Sequence, residues 1–126
     1  MSRPVKAPGP DHPIEIGDAD GAFRAVCSGV VLARSTRALA LREGCYPPVL
    51  YFPREDVDLS PLDRSATSSW CPYKGEASYF SLKANEAFGV AAIADVAWSY
   101  EAPLPAMQSI AGCIAFYANK VVIEAA

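Results

Sequence analysis

The chain has 126 residues, of which 52% are hydrophobic and 20% are charged. This length predicts one domain with its own core, and this composition excludes a disordered chain. The 11 basic and 14 acidic side chains give a net charge of -3. Because phosphate binding needs a basic patch, this balance argues against a nucleic-acid surface based on overall charge, and no nucleic-acid partner is predicted.

The N-terminal segment and the cysteines bear on the compartment of the protein. MSRPVKAPGPDHP lacks the apolar stretch of a secretory signal, and no apolar run reaches the roughly 18–20 residues that a membrane helix needs. We therefore expect a cytoplasmic protein without membrane contact, whose cysteines are reduced thiols. None of them stands in a C-x-x-C pair, so neither a metal site nor a cofactor is predicted. The cysteines are Cys27, Cys45, Cys71 and Cys113.

The first residues differ in character from the rest of the chain. Residues 1–13 are rich in proline and offer little that can pack, so we expect an extended arm there. No linker, repeat or low-complexity tract divides residues 14–126, which we expect to form a single domain. His12, at the end of the arm, receives no role from the sequence.

Strand patterns fill the first part of the predicted domain. In AFRAVCSG, the residues Phe23, Ala25 and Cys27 fall on one face by strict alternation. Ser28 and Gly29 then form a turn into VVLARS, and this arrangement predicts a β-hairpin.

RALALRE is compatible with a helix or with a strand. Its alternation and its short length favour a strand, which places Leu39, Leu41 and Glu43 on one side. The next apolar run, PVLYF, predicts a strand with Tyr51 and Phe52 on opposite faces.

The remaining residues alternate between polar loops and strands. REDVDLSPLDRS predicts a loop with one helical turn near Pro61 and Leu62. EASYFSL and DVAWSY predict strands, the second with Trp98 and Tyr100 on the same face. PLPAMQSIAG predicts a short helix ended by Gly112, and CIAFY with VVIEA predicts a closing hairpin. The pattern as a whole, about eight strands with one or two short helices, predicts a mainly β, antiparallel domain.

Four blocks of this sequence occur together and in order: STRALALREG, YPPVLYFPREDV, TSSWCPYKGEASYFSL and AWSYEAPLPAMQSIAGCIAFY. This combination resembles the domain of unknown function 427 family, over residues 12–123. The resemblance implies a β-tent-like fold, in which two antiparallel sheets meet at an angle. Relatives with that fold include zinc-binding modules and methionine sulfoxide reductases of the B type. The C-x-x-C pairs that hold their zinc are missing here, so neither zinc nor reductase chemistry is carried over.

A label of nucleotidyltransferase type is attached to that family. Nucleotidyl transfer uses clustered carboxylates for magnesium and a glycine-rich or basic cradle for phosphates. Asp56 and Asp58 alternate on a loop, which is compatible with a metal site or with a solvated pair. The sequence gives the label little support, and whether the protein is an enzyme stays open.

The CPYKG block contains the residues best suited to chemistry. Cys71 stands three positions before Lys74, and a nearby cation lowers the pKa of a thiol and favours a nucleophilic thiolate. The same block is typical of a tight turn between Pro72 and Gly75. A cysteine hydrolase also needs a base, and His12 is the only histidine. Cys71 and Lys74 are therefore candidate catalytic residues, and Lys74 is also a candidate to bind a carboxylate or a phosphate.

Aromatic and charged residues in three blocks predict a ligand cleft. Polar clusters at strand ends, such as Arg54 with Asp56, hold ligands or anchor a sheet corner. Most aromatic residues belong to cores, but aromatic walls with a few charges at the rim also make a binding pocket. The predicted ligand-binding residues are Tyr51, Arg54, Asp56, Lys74, Tyr79, Trp98 and Tyr100.

Three hypotheses of function follow. The leading one is the binding of a small polar or anionic molecule in this cleft. The second is an enzyme that uses Cys71 or Lys74 as its nucleophile. The third is an interaction module whose exposed face docks a protein or a second copy. For the oligomeric state we expect a monomer or a weak homodimer.

Overall fold

The structure, a computed structural model, describes residues 3–126 and is built almost entirely of antiparallel strands. Ten strands occur in these residues: β1 (Ile14–Asp18), β2 (Phe23–Cys27), β3 (Val30–Ser35), β4 (Leu39–Glu43), β5 (Val49–Tyr51), β6 (Leu62–Cys71), β7 (Gly75–Leu82), β8 (Ile93–Ser99), β9 (Ala115–Phe116) and β10 (Val122–Ala125). The helical elements of the same residues are short 3-10 helices, at Arg54–Asp56, Glu86–Phe88 and Pro105–Ile110. The prediction of a mainly antiparallel β domain with short helices is confirmed.

Hydrogen bonds divide the strands over three sheets, one more than the two that were expected. Their strand orders are β1-β4-β5, β10-β2-β3 and β6-β7-β8-β9. Phe52, directly after β5, and Ile114, directly before β9, exchange two backbone hydrogen bonds of 2.8 Å each. This bridge connects the first sheet to the third and sets the position of β5 relative to β9.

Several predicted elements are confirmed in detail. β2 and β3 form the expected hairpin, and the turn residues Ser28 and Gly29 both have positive φ angles, as two-residue turns between twisted strands require. The alternating RALALRE segment contains β4, the central strand of its sheet. Pairing on both sides supplies the stabilisation that a strand so rich in alanine and leucine lacks locally.

Two local predictions are wrong. The helical turn expected near Pro61 and Leu62 lies instead at Arg54–Asp56, and Leu62 begins the ten-residue β6. β6 is an edge strand with mostly exposed side chains, so its polar sequence is compatible with a sheet. The closing hairpin does not form either, because β9 pairs with β8 while β10 pairs with β2.

Buried apolar side chains form two clusters on either side of β5. Phe52 belongs to the main core together with Leu32, Val96 and Ile114. Tyr51 points the other way, as the alternation predicted, into a second cluster with these buried members: Leu41, Ala77, Tyr100, Met107, Ile110, Cys113 and Ala115. Three members of the second cluster, Leu41, Tyr51 and Tyr100, also line a cleft.

Residues 3–8 of the N-terminal arm have no regular secondary structure and lie along the turn between β6 and β7, whereas Pro10 and Asp11 form a turn closed by backbone hydrogen bonds between Gly9 and His12. The backbone N–H of Lys6 donates to the carbonyl of Pro72 (2.9 Å), and the indole N–H of Trp70 donates to the carbonyl of Pro4 (2.7 Å). The first two predicted arm residues lie outside the described residues. Within residues 3–126, no helix has the length and apolar character needed to cross a membrane.

Candidate ligand-binding cleft

The CPYKG block forms a tight turn that directs Lys74 inward. The backbone N–H of Lys74 donates to the carbonyl of Cys71 (3.2 Å), and the carbonyl of Lys74 accepts from the N–H of Leu104 (2.9 Å). Gly75 follows with a φ of 110°, and a Cβ atom there would lie 3.4 Å from the backbone nitrogen of Leu104. The positive φ angle favours glycine at this point, and the turn buries the side chain that precedes it.

Lys74 takes part in a chain of polar contacts that joins the turn, β4 and the arm. Its ammonium donates to Oε1 of Glu43 (2.6 Å), and Oε2 of Glu43 is hydrogen-bonded to Nε2 of His12 (2.6 Å). The imidazole stacks on the ring of Tyr73, with centroids 4.0 Å apart. Burial would raise the pKa of Glu43, but hydrogen bonds and charge from Lys74 and His12 outweigh it and lower that pKa.

An aromatic-lined cleft of about 510 Å³ opens beside this ion pair. The indole N–H of Trp98 donates to the hydroxyl of Tyr51 (3.2 Å), and the two rings meet edge to face. Trp98 also packs on Tyr117, with ring centroids 4.5 Å apart. The lining residues are Leu41, Glu43, Tyr46, Pro47, Pro48, Val49, Tyr51, Lys74, Tyr79, Trp98, Tyr100, Tyr117 and Ala118.

The hydroxyls of Tyr51, Tyr100 and Tyr117 stay protonated at neutral pH. Burial raises the pKa of Tyr51 and of Tyr100 above their usual value, and it raises the pKa of Tyr117 to about 12. Each hydroxyl can therefore donate one hydrogen bond and accept others. The cleft combines flat apolar surface with neutral donors and one ammonium.

Five of the seven predicted ligand-binding residues line this one cleft, and two lie elsewhere. The five are Tyr51, Lys74, Tyr79, Trp98 and Tyr100. Arg54 instead donates to the carbonyl of Gly112 (3.2 Å) and pairs with Glu101 (3.1 Å). Asp56 accepts from the hydroxyl of Ser35 (2.6 Å) and from the guanidinium of Arg37 (3.2 Å). These contacts anchor a corner of the sheet. This is the alternative to ligand binding that was expected for charged residues at strand ends.

Glu101 also pairs with Arg64, and this pair leads to a prediction about stability in acid. Arg64 donates two hydrogen bonds to Glu101 (2.8 and 2.7 Å) and lowers the pKa of this carboxyl to about 2. Because the pKa is lower in the folded state, the stabilisation is present above the unfolded pKa and is lost as the pH falls toward 2. The carboxylate is one-third exposed, so we expect screening to limit the effect to about 1 kcal/mol.

Urea unfolding at neutral pH and near pH 2 tests this contribution. We expect the wild type to lose about 1 kcal/mol more than Glu101→Gln between these two conditions. Asp63→Asn, which removes a carboxylate from a looser exposed pair with Lys83, should lose as much as the wild type. Equal acid losses in wild type and Glu101→Gln would contradict the assignment.

Cys71 lies half-buried beside the second apolar cluster and is not among the residues that line the cleft. His12, the only histidine in the sequence, is engaged with Glu43. Within residues 3–126, no group of three or more histidine, cysteine or acidic side chains could hold a metal ion. The nucleophilic role of Cys71 or Lys74 stays a prediction.

A larger hollow of about 630 Å³ shares no lining residue with the cleft. Exposed loop residues form most of its wall, among them Gly29, Ser60, Lys83 and Phe88. Its charged lining residues, Asp58 and Lys83, are both exposed. Its walls therefore lack the buried polar group that orients a ligand in a binding site, and the aromatic cleft is the better candidate.

Three polar residues of the cleft, Glu43, Tyr46 and Tyr117, are among those that sequence reasoning missed. Tyr46 and Tyr117 lie in turns next to short strands, where no periodicity marks a face. Glu43, by contrast, continues the apolar side of β4 after Leu39 and Leu41. A charged residue in phase with two leucines was a usable signal that a buried partner exists.

The fold and the site define a small, mainly β protein with an aromatic-lined cleft around a buried lysine. The chain belongs to the family described as Domain of unknown function (DUF427), whose model matches residues 15–126. The resemblance carried by the sequence blocks is thereby confirmed, and the nucleotidyltransferase label of the family is a name only. No curated protein matches the sequence.

Proposed function

We propose that this protein binds a small polar or anionic molecule in the aromatic-lined cleft. The observation that carries the proposal is the placement of the Lys74 ammonium, whose side chain is only 11% exposed, beside aromatic walls. Binding sites for small molecules are mostly apolar clefts of about 300–1,000 Å³ with a few convergent polar groups. The volume, the aromatic lining and the single ammonium all agree with this description.

The partial exposure of the walls supports binding over a purely structural role. Tyr79, Trp98 and Tyr117 are each partly exposed, although they could bury more apolar surface in a closed core. Aromatic surface left open to water gains free energy when a ligand covers it. The walls therefore offer a flat apolar part of a ligand its contacts, while Lys74 offers a polar part its hydrogen bonds.

The two tryptophans provide a test with an internal control. Trp98 lines the cleft, whereas Trp70 lies on β6 against the arm. Carboxylic acids, phosphorylated metabolites and nucleotides would be screened by thermal shift, and the hits titrated while the indole N–H signals are followed by NMR. We expect a hit to shift the Trp98 signal, to leave the Trp70 signal in place and to stabilise the protein by about 2.7 kcal/mol at a concentration of 100 Kd.

The assignment of the two signals comes from Trp70→Phe, which keeps only the cleft reporter. Hits that shift both signals equally would indicate binding elsewhere and would contradict the proposal. So would a screen in which no compound shifts the Trp98 signal.

A further inference from the structure

We propose that the cleft selects aromatic monocarboxylates over phosphorylated compounds and over neutral or cationic analogues. This inference rests on the proposed function, because it concerns the ligand of the same cleft. It depends on which hydrogen-bonding groups in the cleft are already used and on the sum of its charges.

The cleft has buried donors that still lack acceptors. Within the described residues, the ammonium of Lys74 makes one hydrogen bond, to Glu43, although it carries three donors. The hydroxyl of Tyr51 accepts from Trp98, and its own proton has no acceptor in residues 3–126, although Tyr51 is only 2% exposed. Buried donors without partners cost free energy, so a ligand that brings acceptors is favoured.

The carboxylate of the cleft, in contrast, already has a partner on each of its oxygens. Both carboxylate oxygens of Glu43 take part in hydrogen bonds, one with Lys74 and the other with His12. Aromatic walls can attract a cation, but a cationic ligand would meet the ammonium of Lys74 and would have to compete for Glu43. The unused donors of the ammonium and its repulsion of a cation therefore point to an anionic group.

The charge of the cleft separates a carboxylate from a phosphate. Lys74 and Glu43 are the only charged side chains among its lining residues, and their formal charges cancel. A phosphate monoester carries between one and a half and two negative charges at neutral pH, which this apolar site would leave uncompensated. A carboxylate brings only one charge, and the unused donors, two on Lys74 and one on Tyr51, can serve its two oxygens.

The aromatic walls of the cleft favour a ligand that contains an aromatic ring. The rings of Tyr79 and Tyr117 lie nearly parallel, and Trp98 is tilted against Tyr117. Aromatic rings that meet such surfaces edge to face or in offset stacks gain free energy beyond simple burial. A planar ring with one carboxylate satisfies the walls and the donors together.

Probes with one ring system and different head groups test the inference. They are naphthalene-2-carboxylate, naphthalene-2-carboxamide, 2-naphthyl phosphate and trimethyl(2-naphthyl)ammonium, titrated by calorimetry at neutral pH. We expect the carboxylate to bind at least about tenfold more tightly than the other three, because a hydrogen bond to a charged group is worth that factor or more. The Trp98 indole signal checks that each probe occupies the cleft.

Variants of Lys74 and Tyr51 then separate the contributions of these two donors to binding. Lys74→Met should weaken the binding of the carboxylate by about tenfold or more, and Tyr51→Phe by a smaller factor. The carboxamide should lose less in both variants, because its neutral carbonyl accepts weaker hydrogen bonds. Tyr51→Phe keeps the test valid if Lys74→Met folds poorly. Lys83→Met, which removes an exposed lysine outside the cleft, should bind all probes as the wild type does.

The outcomes distinguish this inference from the proposed function. Carboxamide, ammonium or phosphate binding in the cleft as tightly as the carboxylate would overturn the inference and leave the proposed function standing. The same holds if no naphthyl probe binds while the broader screen yields a binder of other chemistry that shifts the Trp98 signal. If neither set contains a compound that shifts this signal, both proposals fail.

Discussion

Glu43→Gln is expected to lower the free energy of unfolding by about 2–4 kcal/mol, measured by urea unfolding at neutral pH. The glutamine has nearly the same shape, but it leaves the ammonium of Lys74 in the cleft without a counter-charge. The side chains of Lys74 and Glu43 are only 11% and 20% exposed, so water replaces the lost carboxylate poorly. Removing one partner of a buried pair costs more than the pair itself contributes, because a charge stays behind.

A double variant and a surface variant complete this test. In Glu43→Gln/Lys74→Met the unpaired charge is gone, so we expect this double variant to recover part of the loss. Glu76→Gln breaks the exposed pair with Arg3 and should cost less than about 1 kcal/mol. If Glu43→Gln costs no more than Glu76→Gln, the pair in the cleft is solvated and the argument for a strong polar centre fails.

The same variant has a defined pH dependence. The pKa of Glu43 is lowered in the folded state, so its contribution is fully present above the unfolded pKa, about 4.3, and is lost as the pH falls through the folded value. Glu43→Gln lacks this contribution at every pH. Its unfolding free energy should therefore approach that of the wild type in acid, where both lack the carboxylate charge.

Glu43 also limits how strongly the cleft attracts an anion. The carboxylate neutralises Lys74 and holds one of its three donors. In Glu43→Gln the ammonium would be uncompensated, so an anionic ligand should bind more tightly although the protein is less stable. Opposite signs of the two effects in one variant are difficult to explain by a structural role of Lys74 alone.

The alternation of apolar and polar residues predicted the strands well, because one face of a strand is buried and the other is not. Tyr51 and Phe52 show this, since each belongs to a different apolar cluster. Pairing between distant strands is not encoded locally. β10 follows β9 closely along the chain, yet it pairs with β2, and no pattern within the last residues indicates that partner.

The same distinction explains the success and failure of the site prediction. Tyr79 and Trp98 face each other as a cross-strand pair of β7 and β8, so alternation along each strand and the pairing of two strands that follow each other in the chain bring them to one surface. Arg54 and Asp56 lie within one 3-10 turn, where residues two apart point in clearly different directions. Their partners, Glu101 and Ser35 among them, come from other parts of the chain, and this long-range pairing draws them away from the cleft.

Gly75→Ala is expected to lower the free energy of unfolding by about 1–3 kcal/mol, because an alanine strains at a φ of 110°. Its Cβ atom would lie 3.4 Å from the backbone nitrogen of Leu104, an ordinary van der Waals distance, so the cost comes from the backbone conformation. Gly17→Ala is the matched control. Gly17 lies in β1 without a positive φ and has open space around its Cβ position, so alanine there should be neutral or stabilising by about 0.4–1 kcal/mol.

The variant also tests whether the turn geometry serves the cleft. Gly75 directly follows Lys74, and the carbonyl of Lys74 accepts a hydrogen bond from the N–H of Leu104. A change of the φ angle at residue 75 would disturb this hydrogen bond. We therefore expect Gly75→Ala to weaken the binding of naphthalene-2-carboxylate more than that of its carboxamide, because the ammonium moves while the aromatic walls stay. A variant that is less stable but keeps the wild-type preference would separate the two roles and make Gly75 a folding requirement alone.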